Sequence, residues 1–314
     1  MGIRVLDPIE RIAQSAPPAA PAGGPKRALG CTVMAKLTIV QSANLALREV
    51  SGLCVRRGDR GPEILAIGDE DFTVMVLAVE GGALGERVRR VDLRSLCAGV
   101  CNKRGGSQWE AVAADADGQA LVLQENPGTV FVFSPTFDAL STTVALEARN
   151  SALARRWEDD ENSRGEGVVA LSNGHLLIVK EKRPALLIEF GPRGAAAGGV
   201  RPELLVPAPF APDADRFVPL AAWSIDDGPE DLSDAAVSPT GQLYVVSDAE
   251  RCLLQLGTKM RPEAGAIRPS ARWELPKKIK KPEGLAFLPD GSPVVACDRD
   301  DDGTALFVLE SIGA

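Results

Sequence analysis

The stretch PEGLAFLPDGSPVVACD, residues 282–298, has two short apolar runs on either side of a Pro-Asp-Gly turn, with Glu283 near its start and Asp298 at its end. Two such runs around this type of turn predict a β-hairpin. Because the chain folds back on itself, the carboxylates of Glu283 and Asp298 come close together. Two like charges held side by side repel each other, which suggests that this hairpin contributes to a metal-binding site.

The same order of strand, turn, strand and acid occurs in five segments, which are residues 50–69, 109–125, 165–181, 232–248 and 282–298. Each segment is followed by a third strand-like run, and three of them by a fourth. The segments are far enough apart for each to form a four-stranded antiparallel sheet. Repeated four-stranded sheets without long helices predict an all-β fold, a five-bladed β-propeller.

The last repeat has only three strand-like runs. Residues 37–41 (LTIVQ) lie upstream of the first repeat and are predicted to supply the missing outer strand, which closes the ring. We therefore expect a single propeller domain over residues 35–314, preceded by a flexible Pro/Ala/Gly-rich tail over residues 1–34. The fourth strand of the third blade is not placed, because residues 191–229 form a Pro-rich excursion.

Composition and charge exclude several classes of protein. The net charge is -8 and the pI is about 5.0, which disfavours general binding to nucleic acid or to anionic lipid. No apolar run is long enough to span a membrane, and residues 1–34 lack a secretory apolar core. The six cysteines are scattered and several lie in apolar runs. We expect a cytoplasmic, reduced, monomeric protein.

Three phrases of the sequence resemble one known family. EGVVALSNGHLLIVKEKRP, EDLSDAAVSPTGQLYVVSDAERCLLQL and KPEGLAFLPDG are similar to the SdiA-regulated family of bacterial five-bladed propellers, which is distantly NHL-repeat-like. The resemblance covers about residues 45–314. It implies a calcium site at the channel and no established activity. The chain departs from the family pattern at Ser233-Asp234-Ala235, where the family shows Ser-Gly-Leu.

Hairpin register predicts which acids face each other. With two-residue turns, Glu110 lies opposite Glu125, Glu166 opposite Glu181, Ser233 opposite Asp248 and Glu283 opposite Asp298. A three-residue turn with a bulge would shift the register by one residue and keep the proximity. The first strand of a blade lines the channel, so the acids predict two sets: inner glutamates Glu110, Glu166 and Glu283, and a second ring formed by Asp69, Glu125, Glu181, Asp248 and Asp298.

Opposed carboxylates repel, by about 4 kcal/mol at roughly 4 Å before relaxation. A hard divalent cation would offset this, and Ca²⁺ tolerates irregular oxygen sites better than Mg²⁺ does. We predict a calcium site held by Glu110, Glu166 and Glu283 with help from Asp231. The alternative is that the acids accept backbone hydrogen bonds or pair with nearby Lys and Arg side chains.

Lysines on the same face suggest an anion clamp beside the metal, with Lys180, Lys278 and Lys281 as candidates, although such residues are more often solvated. His175 follows a turn at the far end of its hairpin, so a Ser-His-Asp triad on the carboxylate face is excluded. Two functions remain. One is a calcium-binding scaffold for an unknown small molecule or protein at the channel mouth, and the other is a metal-dependent hydrolase, a lactonase or phosphoesterase.

Overall fold

The computed structural model describes residues 36–100, 106–148, 157, 164–257, 259–263, 265–298 and 304–313. The predicted tail, residues 1–34, lies outside the described residues, and so does residue 35. In chain order the strands are β1 (Ile39–Leu45), β2 (Val50–Gly58), β3 (Gly61–Gly68), β4 (Thr73–Glu80), β5 (Ala83–Asp92), β6 (Trp109–Ala114), β7 (Ala120–Gln124), β8 (Thr129–Phe133), β9 (Leu140–Leu146), β10 (Gly167–Ala170), β11 (Leu176–Lys180), β12 (Leu186–Pro192), β13 (Arg216–Ile225), β14 (Asp234–Val237), β15 (Leu243–Ser247), β16 (Cys252–Leu256), β17 (Ala266–Ile267), β18 (Pro269–Glu274), β19 (Pro282–Phe287), β20 (Pro293–Cys297) and β21 (Thr304–Leu309).

These strands form four-stranded antiparallel units. The first unit is β2-β3-β4-β5, the second β6-β7-β8-β9, the third β10-β11-β12-β13 and the fourth β14-β15-β16-β18. The fifth is β19-β20-β21-β1, in which the N-terminal strand β1 pairs antiparallel with the C-terminal strand β21. A short parallel pairing between β13 and β9 joins the second and third units into one sheet. A single 3₁₀ turn forms over Pro202–Leu204 in the loop between β12 and β13.

The first strands of the units, β2, β6, β10, β14 and β19, are called the inner strands below. Each contacts the next, and β19 contacts β2. Small residues permit this approach: a Cβ on Gly52 would lie 2.9 Å from the Cα of Ala111, and one on Gly167 would lie 2.9 Å from the amide nitrogen of Ala235. The structure therefore confirms the all-β prediction and shows a propeller-like arrangement of sheets.

The core lies between the units rather than within one of them. Among the described residues, clusters of buried apolar side chains separate each unit from its neighbours, including the first from the fifth. Large aromatic side chains such as Trp109, Phe133, Phe190 and Trp223 are fully buried there. The inner strands are thereby fixed at the centre, where their ends surround the channel.

The hairpin register differs from the strict pairing by one residue. Four hairpins turn through three residues, as when the amide of Asp115 donates to the carbonyl of Gln119, and a glycine with positive φ, such as Gly118, ends the loop. The two-residue pairing predicted for these turns is wrong, and the three-residue alternative is confirmed. The longer loop matches the strand twist because glycine adopts the left-handed conformation without strain.

Strand β13 is the element that the sequence did not place. Its sequence RFVPLAAWSI is apolar but contains Pro219, which argues against a central strand because proline cannot donate to the ladder. In the structure β13 is the outer strand of its unit, and Pro219 pairs with Phe190 at an irregularity in the register. An outer strand tolerates proline, so the run is compatible with the sheet.

Candidate metal centre

The five inner strands have a β-bulge at the same position. On three of them the strand register skips one residue, which is Ser51, Glu110 or Glu283. On the other two, the amides of Glu166 and Ser233 donate to carbonyls of the second strand whose residues already pair with the next residue of the inner strand. A bulge re-aims a side chain and occurs often beside functional sites. Three of these five positions are glutamates, so the fold places three equivalent carboxylates at one end of the channel.

The inner glutamates act strongly on one another. Burial raises the pKa of Glu110 well above its usual range, and the charges of Glu125, Asp69 and Glu283 raise it further. Burial likewise raises the pKa of Glu166, with Glu110 as the next cause. For Glu283, burial first and then Asp248 and other acids raise the pKa to about 8, opposed by a hydrogen bond with Ser233. The structure therefore brings Glu110, Glu166 and Glu283 together.

The acids of the second ring surround this group, each acting on its nearest inner glutamates. Glu125 and Glu181 act on both Glu110 and Glu166, whereas Asp248 and Asp298 act on Glu283. Some have partners of their own. Glu125 accepts the amide of Arg164 at 2.9 Å, Glu181 forms an ion pair with Lys182, and Asp298 forms one with Lys281 at 3.1 Å.

Asp69 differs from the other second-ring acids because its nearest partner is another carboxyl group. Burial first, then a hydrogen bond with Glu49 and its charge, raise the pKa of Asp69 from 3.8 to about 7. Within the described chain, one buried oxygen of Asp69 and one of Asp298 have no hydrogen-bond partner. Asp69 therefore lies at the edge of the carboxylate group with a raised pKa and a hydrogen bond to Glu49.

Asp231 is engaged away from the inner glutamates. One of its oxygens accepts the hydroxyl of Ser247, and the other accepts the amides of Asp248 and Ala249 at 3.1 and 3.0 Å. These bonds order the turn that follows β15. Asp231 also acts on Asp248, whose pKa is raised by burial and then by this charge. Asp231 therefore orders the turn that carries Asp248 of the second ring, and both of its carboxylate oxygens already accept hydrogen bonds.

The three candidate lysines have separate partners. Lys180 is buried and donates to the carbonyl of Lys182, Lys278 lies 5.6 Å from the ring centre of Phe307, and Lys281 pairs with Asp298. Each ammonium group thus has a different partner, and the anion clamp stays a prediction.

As the side chains stand, no three Asp, Glu, His or Cys residues within the described ranges are grouped tightly enough to coordinate an ion. The donor set nevertheless fits a hard cation, because it consists of carboxylate oxygens at flexible glutamate side chains. No ion pair to Glu110, Glu166 or Glu283 is found among the described residues. The inner glutamates and the surrounding second-ring acids are called the carboxylate mouth below, and basic side chains pair with acids of the second ring such as Glu181 and Asp298.

Two further polar groups lie elsewhere in the fold. His175 is at the hairpin end of the third unit, where its Nδ1 lies 2.6 Å from the buried carboxylate of Glu189, as its sequence position indicated. Asp234, which follows the bulged Ser233, is buried on the channel axis and was not predicted as a site residue. Burial raises the pKa of Asp234, whereas hydrogen bonds from Leu285, Ala235 and Leu53 favour its ionised form.

The family model described as SdiA-regulated matches residues 103–293, which is more than half of the chain and includes all three inner glutamates, Glu110, Glu166 and Glu283. The chain belongs to the SdiA-regulated family. A sequence search against curated proteins gives no match. No helix in the described part of this family member is long and apolar enough to cross a membrane.

Solved structures similar to this SdiA-regulated chain support the fold. Glutaminyl cyclase from Myxococcus xanthus is 14% identical, with a TM-score of 0.53, over 89% of this chain and 98% of the cyclase. The calcium-binding protein regucalcin from Agrobacterium tumefaciens is 13% identical over 90% of this chain and 98% of its own, with a TM-score of 0.46. The first likeness shows the fold alone, and the second is too low to support any conclusion.

Proposed function

We propose that the chain is a closed five-bladed β-propeller that binds a divalent cation, Ca²⁺ first, at its carboxylate mouth, and that this face binds a small-molecule or protein ligand. The observation that carries the proposal is the group of Glu110, Glu166 and Glu283. They occupy equivalent bulges on three inner strands, and burial, followed by the charges of nearby acids, raises the pKa of each, with no ion pair to a basic side chain among the described residues.

The five units support the closed form. Contacts between β19 and β2, and the pairing of β1 with β21, link the last unit to the first. Such closure removes exposed sheet edges. It also sets the spacing of the inner strands, so the glutamates are carried on a fixed frame and only their side chains need to move.

Calcium fits this site for reasons of charge and geometry. It takes six to eight oxygen ligands in flexible arrangements, whereas Mg²⁺ demands a near-octahedral shell. Glu110, Glu166 and Glu283 would hold the ion, and Glu125 and Glu181 lie close enough to act on the same carboxylates. A bound cation supplies positive charge that favours the ionised form of every acid in the mouth.

The test is calorimetric titration of the protein with Ca²⁺, Mg²⁺ and Mn²⁺ after treatment with EDTA, combined with melting curves. Calcium at a hundredfold excess over its dissociation constant should stabilise the fold by about 2.7 kcal/mol. Glu166→Gln should weaken binding at least tenfold, whereas Glu86→Gln, an exposed position on β5, should leave it unchanged. Absence of heat and of any melting shift with all three ions would refute the proposal.

A second candidate function, metal-dependent hydrolysis of a lactone or phosphoester, is favoured by the Asp69–Glu49 pair. A general base works best with a pKa near the operating pH, and burial together with Glu49 raises the pKa of Asp69 to about 7. Simple aryl lactones and aryl phosphoesters, assayed with calcium, test this function. Turnover that Asp69→Asn abolishes, with calcium affinity retained, would support it, and no turnover above buffer would reject it.

We extend the proposal to partners and location. A net charge of -8 favours a protein without general nucleic-acid affinity. The large apolar side chains that are exposed in the described chain, Val40, Val88, Val100 and Val206, lie apart in sequence, which supports a monomer. Four described cysteines, Cys54, Cys97, Cys252 and Cys297, carry reduced thiols, which is compatible with the cytoplasmic location that we expect.

A further inference from the structure

Asp234 is a fully buried acid whose carboxylate joins three inner strands. Its side chain accepts the amide of Ala235 at 2.7 Å and the amide of Leu285 at 2.8 Å, and it also accepts the amide of Leu53. These donors belong to β14, β19 and β2. Asp234 is 1% exposed, so water does not compete for these bonds.

The donors follow from the antiparallel register. In each hairpin the inner-strand residues alternate between pairing with the second strand and facing away from it. The amide of Ser238 donates to Gln242 on the second strand, so the amide of Ala235, three residues earlier, points away from that strand and toward the channel axis. The amide of Leu288 donates to Ser292, so the amide of Leu285 points toward the axis for the same reason. The amides of Asp115 and Leu171 donate to the second strand in the same way, to Gln119 and His175. The amides of the equivalent residues Val112 and Val168 therefore also point toward the axis.

The closed order of inner strands thus places amides of five equivalent residues at one level of the channel. They are Leu53, Val112, Val168, Ala235 and Leu285. Successive backbone amides that point into one space form an anion-binding concavity, because each N–H carries partial positive charge. A carboxylate that accepts several such amides is strongly favoured in its ionised form.

Only one inner strand supplies an acid at the position next to the bulge. The residues equivalent to Asp234 are Gly52, Ala111, Gly167 and Gly284, whose side chains are absent or too short to reach the axis. We infer that the amides form an anion-binding ring specific for a small carboxylate, and that Asp234 is its resident, covalently tethered ligand.

The space beyond the ring gives a free anion a route of entry. A cavity of about 600 Å³ is lined by all five inner strands below this level, including Leu53, Ala235 and Leu285, and by residues 205–207. Its walls include the hairpin-end residues Pro239 and Gly241, so it lies on the side opposite the carboxylate mouth. Removal of the Asp234 side chain would therefore connect the ring to a chamber large enough for formate or acetate.

The experiment compares Asp234→Gly with Asp234→Asn, both studied in EDTA so that the result does not depend on the proposed cation site. Asp234→Gly opens the ring, and Asp234→Asn keeps the side-chain volume in place. Sodium formate should raise the melting temperature of Asp234→Gly by about 3 °C in a saturable manner, and should change the wild type and Asp234→Asn by less than about 1 °C.

A second measurement applies if Asp234→Gly does not fold. Amide protons bound to a carboxylate resonate downfield, so the NMR signals of Leu53, Ala235 and Leu285 should move upfield in Asp234→Asn. An equal formate response in the wild type and both variants would overturn the inference, as would no response in folded Asp234→Gly. Unchanged amide signals in Asp234→Asn would also overturn it.

Discussion

The carboxylate mouth and Asp234 lie one residue apart along the inner strands, yet their acids have opposite surroundings. Glu110 and Glu166 are near other acids, and burial together with those charges raises their pKa values. Asp234 is more deeply buried, but three backbone amides donate to it. Burial raises the pKa of Asp234 as well, but at this site hydrogen-bond donors oppose the effect of burial, whereas at the mouth neighbouring acids add to it.

The bulges explain the difference between the two levels. At the mouth, the amides of Glu166 and Ser233 bend back to the carbonyls of Val179 and Val246, so they are not available to a carboxylate on the axis. Two residues further along the inner strands, the amides of Leu53, Ala235 and Leu285 face the axis and bind Asp234. The same strands therefore produce one level that lacks donors and needs a cation, and another that supplies its own donors.

Replacement of Asp234 is expected to have the largest effect on stability. In Asp234→Asn the amide oxygen can still accept, but the NH₂ group faces backbone N–H groups, and each unpaired buried donor costs about 1–3 kcal/mol. We expect a loss of about 3 kcal/mol in the free energy of unfolding, measured with urea in EDTA. Asp290→Asn, on an exposed turn, is the control and should change it by less than about 0.5 kcal/mol. Equal stability of the wild type and Asp234→Asn would show that the amides do not need an anion.

The pH dependence of the cation-free protein is the second prediction. The pKa of Asp69 is raised from 3.8 to about 7 and that of Glu283 from 4.5 to about 8, by burial and by neighbouring acids. Between these ordinary and raised values the folded state keeps protons that the unfolded state has released, so stability falls as pH rises. After solvent screening we expect a loss of about 2 kcal/mol between pH 5.5 and pH 8.5.

Melting curves in EDTA at several pH values measure this slope. Calcium should flatten or reverse it, because the cation binds the ionised acids that the pH rise creates. The control is Asp69→Asn combined with Glu283→Gln, which removes these two titrations and should make the slope shallower, while Glu110 and Glu166 keep their own contribution. A cation-free protein whose stability increases through this range would contradict the electrostatic account of the mouth.

The hairpins and the acids at their ends could be predicted because both depend on neighbouring residues in the sequence. The three-residue turns and the bulge at Glu110 could be named only as an alternative, since register depends on backbone conformations that glycine permits but does not require. Strand β13 was missed because Pro219 argues against a central strand and its outer position is set by tertiary packing.

The amide ring could not be predicted from the sequence for a different reason. Leu53, Ala235 and Leu285 are distant along the chain, and only closure of the inner strands brings their amides to one level. The sequence did contain a signal, because Asp234 replaces the small residue found at the equivalent position of the other repeats. Its meaning depends on the direction of the amides, which a side-chain pattern does not reveal.

Replacement of one inner glutamate is expected to have the opposite sign to replacement of Asp234. Glu166→Gln removes a buried charge that repels Glu110 and Glu125, so the cation-free protein should gain about 1 kcal/mol. Urea unfolding in EDTA at pH 8 measures the gain, which should disappear at pH 5, where the acids are protonated. Glu86→Gln is the exposed control. A loss of stability at pH 8 would mean that Glu166 has a stabilising partner in the folded state.

The smallest expected effect comes from the rim of the mouth, at Lys281. Its ammonium group lies 3.1 Å from Asp298, but its side chain is 52% exposed, so solvent screens the pair and its net contribution is at most about 1 kcal/mol. Lys281→Met should therefore change the free energy of unfolding by less than about 0.5 kcal/mol. It should still raise calcium affinity about twofold, because removal of one positive charge makes the potential at the mouth more negative.

Calorimetric titration at two salt concentrations distinguishes this effect from a change in shape. Added salt should reduce the difference between Lys281→Met and the wild type, since the interaction acts through solvent. Lys278→Met is the matched control, because Lys278 lies over Phe307 instead of an acid and its removal should alter affinity less. If both variants change calcium affinity equally, the effect is due to general charge and the Lys281–Asp298 pair has no separate role. If neither does, the second-ring acids do not act on the ion, and the inner glutamates alone determine its affinity.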